Sequence, residues 1–106
     1  MSLTKEERPS LGSISEPFNA TMEQQALLAK IKPHVEKAAK TTFQTFETHL
    51  CCTQIVSGVM YFFKVHIGGE KYIHVKALKT LPIDADGVEF KGYQDNKTKD
   101  DRIIYF

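Results

Sequence analysis

The chain has 106 residues, enough for one compact domain with a single core and too few for two. Its composition, 42% hydrophobic and 25% charged, is that of an ordinary globular protein. With a net charge of +1 and lysines interleaved with acids at residues 97–101, it lacks the basic stripe that phosphate-backbone binding requires, which excludes nucleic acid as an expected partner.

Residues 1–18 are punctuated by Pro9, Gly12 and Pro17 with serines between them, and carry no apolar period. Residues 1–10 read as a flexible N-terminal extension, and residues 11–106 as one domain. The first ten residues are charged and hold no apolar signal-peptide core. No apolar run approaches the ~20 residues of a membrane span. The expectation is a cytoplasmic protein without membrane association, with signal-independent export as the alternative.

Helical signals start at Thr21, whose spacing to Gln24 is that of a capping box. Leu27, Leu28, Ile31, Val35 and Ala38 then recur at steps of three and four, so one apolar stripe runs to about Lys40. Pro33 removes an N–H from this helix and predicts a kink or local loosening there. Beyond Thr41 the period becomes two. Residues 43–53 predict a long strand with imperfect alternation. Residues 59–67 predict a stronger one, with Tyr61, Phe63, Val65 and Ile67 on one face and Lys64 and His66 on the other. Gly68-Gly69 supplies a hairpin turn, residues 72–78 the returning strand, and a loop runs from Leu81-Pro82 to Gly87. Residues 102–106 have strand propensity and are expected to close the sheet. A helix followed by hairpin-linked strands predicts an α+β fold, an antiparallel sheet packed on a single helix.

Cys51 and Cys52 are adjacent, so their side chains alternate across a strand and a bridge between them would be strained. Free thiols in a reducing compartment follow. With His34, His49, His66 and His74 they suggest thiol chemistry on paper. A catalytic thiol, however, needs a presenting turn and a lowered pKa, and a strand interior offers neither. Strand packing with one thiol facing out is the better reading. His66 and His74 flank the Gly68-Gly69 turn, but two histidines without a third ligand do not make a metal centre, and both are read as surface residues on a solvated strand face. No metal, no cofactor and no enzymatic activity are expected.

Gln54-Ile55-Val56-Ser57-Gly58 lies between two predicted strands as Q-x-V-x-G. On its own it is a β-turn, in which Gly58 takes a backbone angle that other residues avoid and Val56 projects. Its surroundings are more specific. Lys32-Pro33 precedes it on the helix, and Tyr61-Phe62-Phe63-Lys64-Val65, Thr80-Leu81-Pro82, Gly92-Tyr93-Gln94 and Tyr105-Phe106 follow. Taken together, from about Gly12 to Phe106, these residues resemble the stefin branch of the cystatin family, small cysteine-protease inhibitors without disulfides.

The resemblance implies a cystatin-like fold and three contact elements. The first is an N-terminal trunk at Leu11 and Gly12, where Ser13 replaces a second glycine that relatives often carry. The second is the first hairpin loop, Gln54, Ile55, Val56, Ser57 and Gly58. The third is the second hairpin loop, Leu81 and Pro82. It further implies reversible, competitive inhibition of papain-like, cathepsin-type cysteine proteases by a wedge that fills their cleft. A monomer is expected, with exchange through the first hairpin loop as the route to a swapped dimer. The alternative is a cystatin-fold module with a non-protease partner.

Overall fold

A computed structural model of the chain describes residues 13–80 and 87–106. The elements run β1 (Phe18–Asn19), α1 (Met22–Ala39), β2 (Glu47–Val56), β3 (Gly58–Gly68), β4 (Lys71–Lys79) and β5 (Val88–Lys97). The five strands form one antiparallel sheet in the order β1-β2-β3-β4-β5, with α1 across one face. This is the expected α+β, cystatin-like architecture.

The helix begins where its capping box lies. The Thr21 hydroxyl accepts from the Glu23 N–H at 3.3 Å, while Gln24 Oε1 accepts from the Thr21 N–H at 2.8 Å. Two otherwise orphaned donors are thereby satisfied. Gln24, Leu27, Leu28, Ile31 and Val35 form the buried stripe. Its last member is Ala39 and not Ala38, which is exposed, because the step from Val35 is four. The helix is continuous through Pro33. Pro33 and Ala29, four residues earlier, are both on the exposed side, so the missing N–H costs no buried hydrogen bond. Lys40 ends the helix in the left-handed conformation at φ 60°, its N–H donating to the Glu36 carbonyl. Phe43 and Phe46 do not begin a strand: they stack at 5.3 Å in the connection to β2, with the Phe43 N–H donating to Glu36 Oε2 at 2.9 Å.

Two bulges explain why the alternation was hard to read. In β2, Thr48 pairs with Val65 and Leu50 with Lys64, leaving His49 as an extra residue. Gln25 of the helix repairs the main chain there, its Nε2 donating to the Thr48 carbonyl at 2.6 Å and its Oε1 accepting from the Thr48 N–H at 3.3 Å. In β5, Phe90 pairs with Ala77 and Gly92 with Lys76, leaving Lys91 unmatched. Val88, Phe90 and Tyr93 pack on the helix-side core, and their spacing of two then three hides a strand that the sequence left unassigned.

The larger departure concerns the far face of the sheet. It was expected to be solvated and is covered. Residues 102–106 form no strand, since β5 already occupies that edge; they cross the far face instead. Ile103 packs with Cys52 and Phe62, joined by Ile14, Leu50, Met60 and Phe106. The Phe62 ring meets Phe106 edge-on at 5.7 Å. Lys64, only 4% exposed, sends its ammonium into the preceding turn, donating to the carbonyls of Lys99 at 2.6 Å, Thr98 at 3.4 Å and Asp101. A buried cation is tolerable because its hydrogens are all matched.

His74 also lies on this face and is fully buried, contrary to expectation; its cross-strand neighbours are Lys64 and Gln94. Neither ring nitrogen has a hydrogen-bond partner among the described residues, and Gln94 Oε1 is likewise unmatched. Burial pushes the imidazole down to about 4, and the charges of Lys64 and Lys97 act in the same direction against a smaller opposing effect of Asp101. The unfolded chain therefore binds this proton more readily than the folded one. The stabilising difference is complete above pH 6.5 and is lost as pH falls toward 4. The expected outcome is a loss of a few kcal/mol between pH 7 and 4, read from urea midpoints, with a visibly flatter pH dependence in His74→Gln.

The end of the β2–β3 hairpin depends on Gly58. Its φ is 126°, and a Cβ there would lie 2.4 Å from the Lys79 carbonyl oxygen and 3.1 Å from Thr80 Cα. Both the backbone angle and the close approach of β4 exclude a side chain. Gly58→Ala is expected to lower unfolding free energy by about 2 kcal/mol or more. Gly69→Ala provides the comparison: φ is 53° but nothing lies within 4 Å, so its cost is limited to about 1 kcal/mol. Equal denaturant midpoints for the two variants would show that the contact with β4 does not matter.

Candidate functional site

Three segments of the chain meet at one end of the sheet. The first is the β2–β3 turn, where Gln54 pairs with Met60, Ile55 with Val59 and Val56 with Gly58, leaving Ser57 alone at the apex. Gln54 is 7% exposed and Gly58 is buried, while Ser57 is exposed. Val56 is half-buried, and Ile55, at 53%, is the more projecting side chain of the two. The sequence had assigned that place to Val56.

The second is the segment that leads into β1. It runs antiparallel along the free edge of β2: Phe18 opposes Cys51 and Ile14 bridges to Gln54. The Ser15 N–H donates to the Thr53 carbonyl at 2.7 Å, and the Thr53 N–H donates to Ser15 Oγ at 3.0 Å. This register carries Ser13 to the level of Ile55, beside the turn. Ile14 and Ser15 thus fix the position of Ser13. Sequence reasoning missed them, because a single bridge and a side-chain hydrogen bond leave no periodic signal.

The third is the connection from β4 to β5. Lys79 pairs with Val59 on one side and Val88 on the other, and Thr80 follows against Gly58. Of the nine residues singled out from the sequence, Gln54, Ile55, Val56, Ser57 and Gly58 are brought together here. Leu11, Gly12, Leu81 and Pro82 lie outside the described residues, whose flanking positions Ser13 and Thr80 both reach this end.

The turn at residues 54–58 contains no titratable side chain and no histidine, cysteine or carboxylate, and its one hydroxyl is that of Ser57. Its neighbours offer apolar surface and main-chain groups, which suit docking and not bond-making. The thiols are equally inactive. Cys51 and Cys52 are free, and neither faces out as one was expected to: Cys51 is buried on the helix side and Cys52 beneath residues 102–106. Burial pushes both thiols up to about 11, so at neutral pH they stay protonated. His66 and His74 do not form a pair, since His66 opposes Tyr72 and His74 opposes Lys64. Among the described residues no helix is long and apolar enough to cross a membrane.

Comparison with known proteins agrees with this geometry. The family model described as the cystatin domain matches residues 12–100. The chain is 39% identical to leukocyte cysteine proteinase inhibitor 1 of Sus scrofa over 95 residues, 90% of this chain and 92% of that protein. It is 39% identical to cystatin-B of Oplegnathus fasciatus, covering 90% of this chain and 95% of that one, and 38% identical to cystatin-A of Homo sapiens, covering 90% and 97%. These are proteins named as inhibitors and cystatins and not as enzymes. With an α+β fold, a helix-backed five-stranded sheet and these relatives, the chain belongs to the cystatin family, on its stefin branch, and is not an enzyme.

Proposed function

We propose that this chain is a reversible, tight-binding, competitive inhibitor of papain-like cysteine proteases of the cathepsin type. The observation that carries the reading is the convergence of the segment at Ser13, the turn at residues 54–58 and Thr80 on one end of the sheet. An edge of that shape complements a cleft. Leu11 and Gly12 form the trunk, Gln54 to Gly58 the central loop, and Leu81 and Pro82 the flanking loop.

Inhibition on this reading is passive. Ile55 and Val56 bury apolar surface in the cleft, at ~25 cal/mol per Å². The tight turn holds its peptide groups in the strand ladder, so no carbonyl is offered to the enzyme's thiolate in a near-attack geometry. Preorganisation of the turn limits the entropy cost of docking, which is what makes protease–inhibitor interfaces of about 1,600 Å² tight. Two free, buried cysteines support a reducing compartment as the place of action.

Titration of papain with the full chain, reading residual activity, tests the proposal directly: a stoichiometric loss is expected, and none would favour a non-protease partner. Val56→Asp places a charge at the contact and costs several kcal/mol of affinity. The fold is retained, because the side chain is at the hairpin end. A folded variant that inhibits within threefold of the parent would remove the central loop from the interface.

The trunk gives a separate outcome. Chains starting at Met1 and at Leu11 are expected to dissociate from papain at similar rates. A chain starting at Ser13 loses the Leu11 side chain, whose burial contributes roughly 1.5–3 kcal/mol. A loss of about 2 kcal/mol is roughly 30-fold, appearing mainly as faster dissociation. A strong difference between the first two chains, with none between the last two, would move the trunk to earlier residues.

A further inference from the structure

At the opposite end of the β2–β3 hairpin the strand register assembles three metal-binding side chains. Glu47 pairs directly with His66, and the bulge that leaves His49 unmatched carries it to the same patch. One donor atom from each of the three lies within 4.8 Å of the others. Glu47 Oε1 is 3.9 Å from His49 Nε2, and the two imidazoles have centroids 6.4 Å apart. We propose that Glu47, His49 and His66 form a surface site for Zn²⁺, completed by solvent.

One of the three side chains is already held in place by a main-chain group. His66 Nε2 lies 2.8 Å from the Gly69 carbonyl oxygen. A carbonyl only accepts, so Nε2 carries the proton and Nδ1 keeps the lone pair that a cation needs. Histidine ligands ordinarily donate their other N–H to such a group, which fixes the tautomer and orients the ring. Tyr72, with its ring 5.0 Å from that of His66, supports the same imidazole from β4. The Gly68-Gly69 turn is therefore what presents this carbonyl.

The donor set fits a borderline cation. Two imidazoles and one carboxylate match Zn²⁺, whose ligand bonds of about 2.0–2.2 Å place tetrahedral donors roughly 3.3 Å apart. Closing from the observed separations takes side-chain rotation of about an ångström or more. That is available, because the Glu47 and His49 side chains are 63% and 59% exposed. The patch is at the base of the hairpin and the protease-facing turn at its tip, so both can be filled at once. Bound Zn²⁺ would tie β2 to β3 across the bulge.

The test uses the full chain with Zn²⁺ alone, by calorimetry at pH 7.5 in a non-chelating buffer. One-to-one binding in the micromolar range is expected. His49→Ala, His66→Ala and Glu47→Gln each reduce affinity by about tenfold or more, whereas His34→Ala, on the exposed side of the helix, does not. Substituted Co²⁺ gives visible bands without a thiolate charge-transfer band, and papain inhibition is unchanged by metal. Absence of saturable binding, affinity untouched by His49→Ala and Glu47→Gln, or a thiolate band from Cys51 or Cys52 would each overturn the assignment.

Discussion

The approach of Gly58 to the Lys79 carbonyl is the constraint on which the working end of this molecule rests. A glycine at φ 126° lets β3 start within contact distance of the end of β4. Two connections that are far apart in sequence are thereby held side by side. The turn at residues 54–58 is closed from one flank by Thr80 and from the other by Ser13, which the β2 edge carries into place. The first flank is a close approach of main chain, and the second combines a main-chain hydrogen bond with one to the Ser15 hydroxyl.

The rest of the sheet is organised to keep that end firm. α1 covers one face with a stripe ending in Val35 and Ala39, and residues 98–106 cover the other. Lys64 is the hinge of the second layer. Its ammonium replaces water for three carbonyls of a turn whose own closure is the Thr98 N–H donating to Asp101 Oδ2 at 2.7 Å. β3 is consequently buried on both sides, which is why Phe62 and Phe63, neighbours in sequence, are both fully inaccessible. A central strand in that position can carry polar residues only where partners are built for them. Lys64 has such partners. His74 has none among the described residues and stays neutral instead.

Features with a regular period or a specific turn chemistry could be read from the sequence: the capped helix, the β3–β4 hairpin around Gly68-Gly69, and the glycine at the hairpin tip. What escaped was whatever depended on register. β5 spaces Phe90 and Tyr93 by three residues across an unmatched Lys91, and neither a strand nor a helix period describes that. His49 joins Glu47 and His66 only because of a bulge in β2. The far face was misread because Lys64 looks like a solvent-facing residue of an alternating strand, and nothing local signals that the turn at residues 98–101 returns to cover it. In the site, Gln54 to Gly58 were legible as a turn, but the greater exposure of Ile55 over Val56 depends on how the tip twists and could not be inferred from spacing.

The two cysteines have a practical meaning for a protein in this family. Both are free, both are buried, and neither face of the sheet relies on a covalent link. Papain-like enzymes work only while their own thiol is kept reduced. The reagents that maintain it would dismantle a scaffold held together by disulfides. Here they have no disulfide to reduce, and the buried, protonated sulfurs are poor nucleophiles toward any disulfide they might meet. The fold is thus chemically orthogonal to its proposed target: the conditions that switch such a protease on leave this protein untouched.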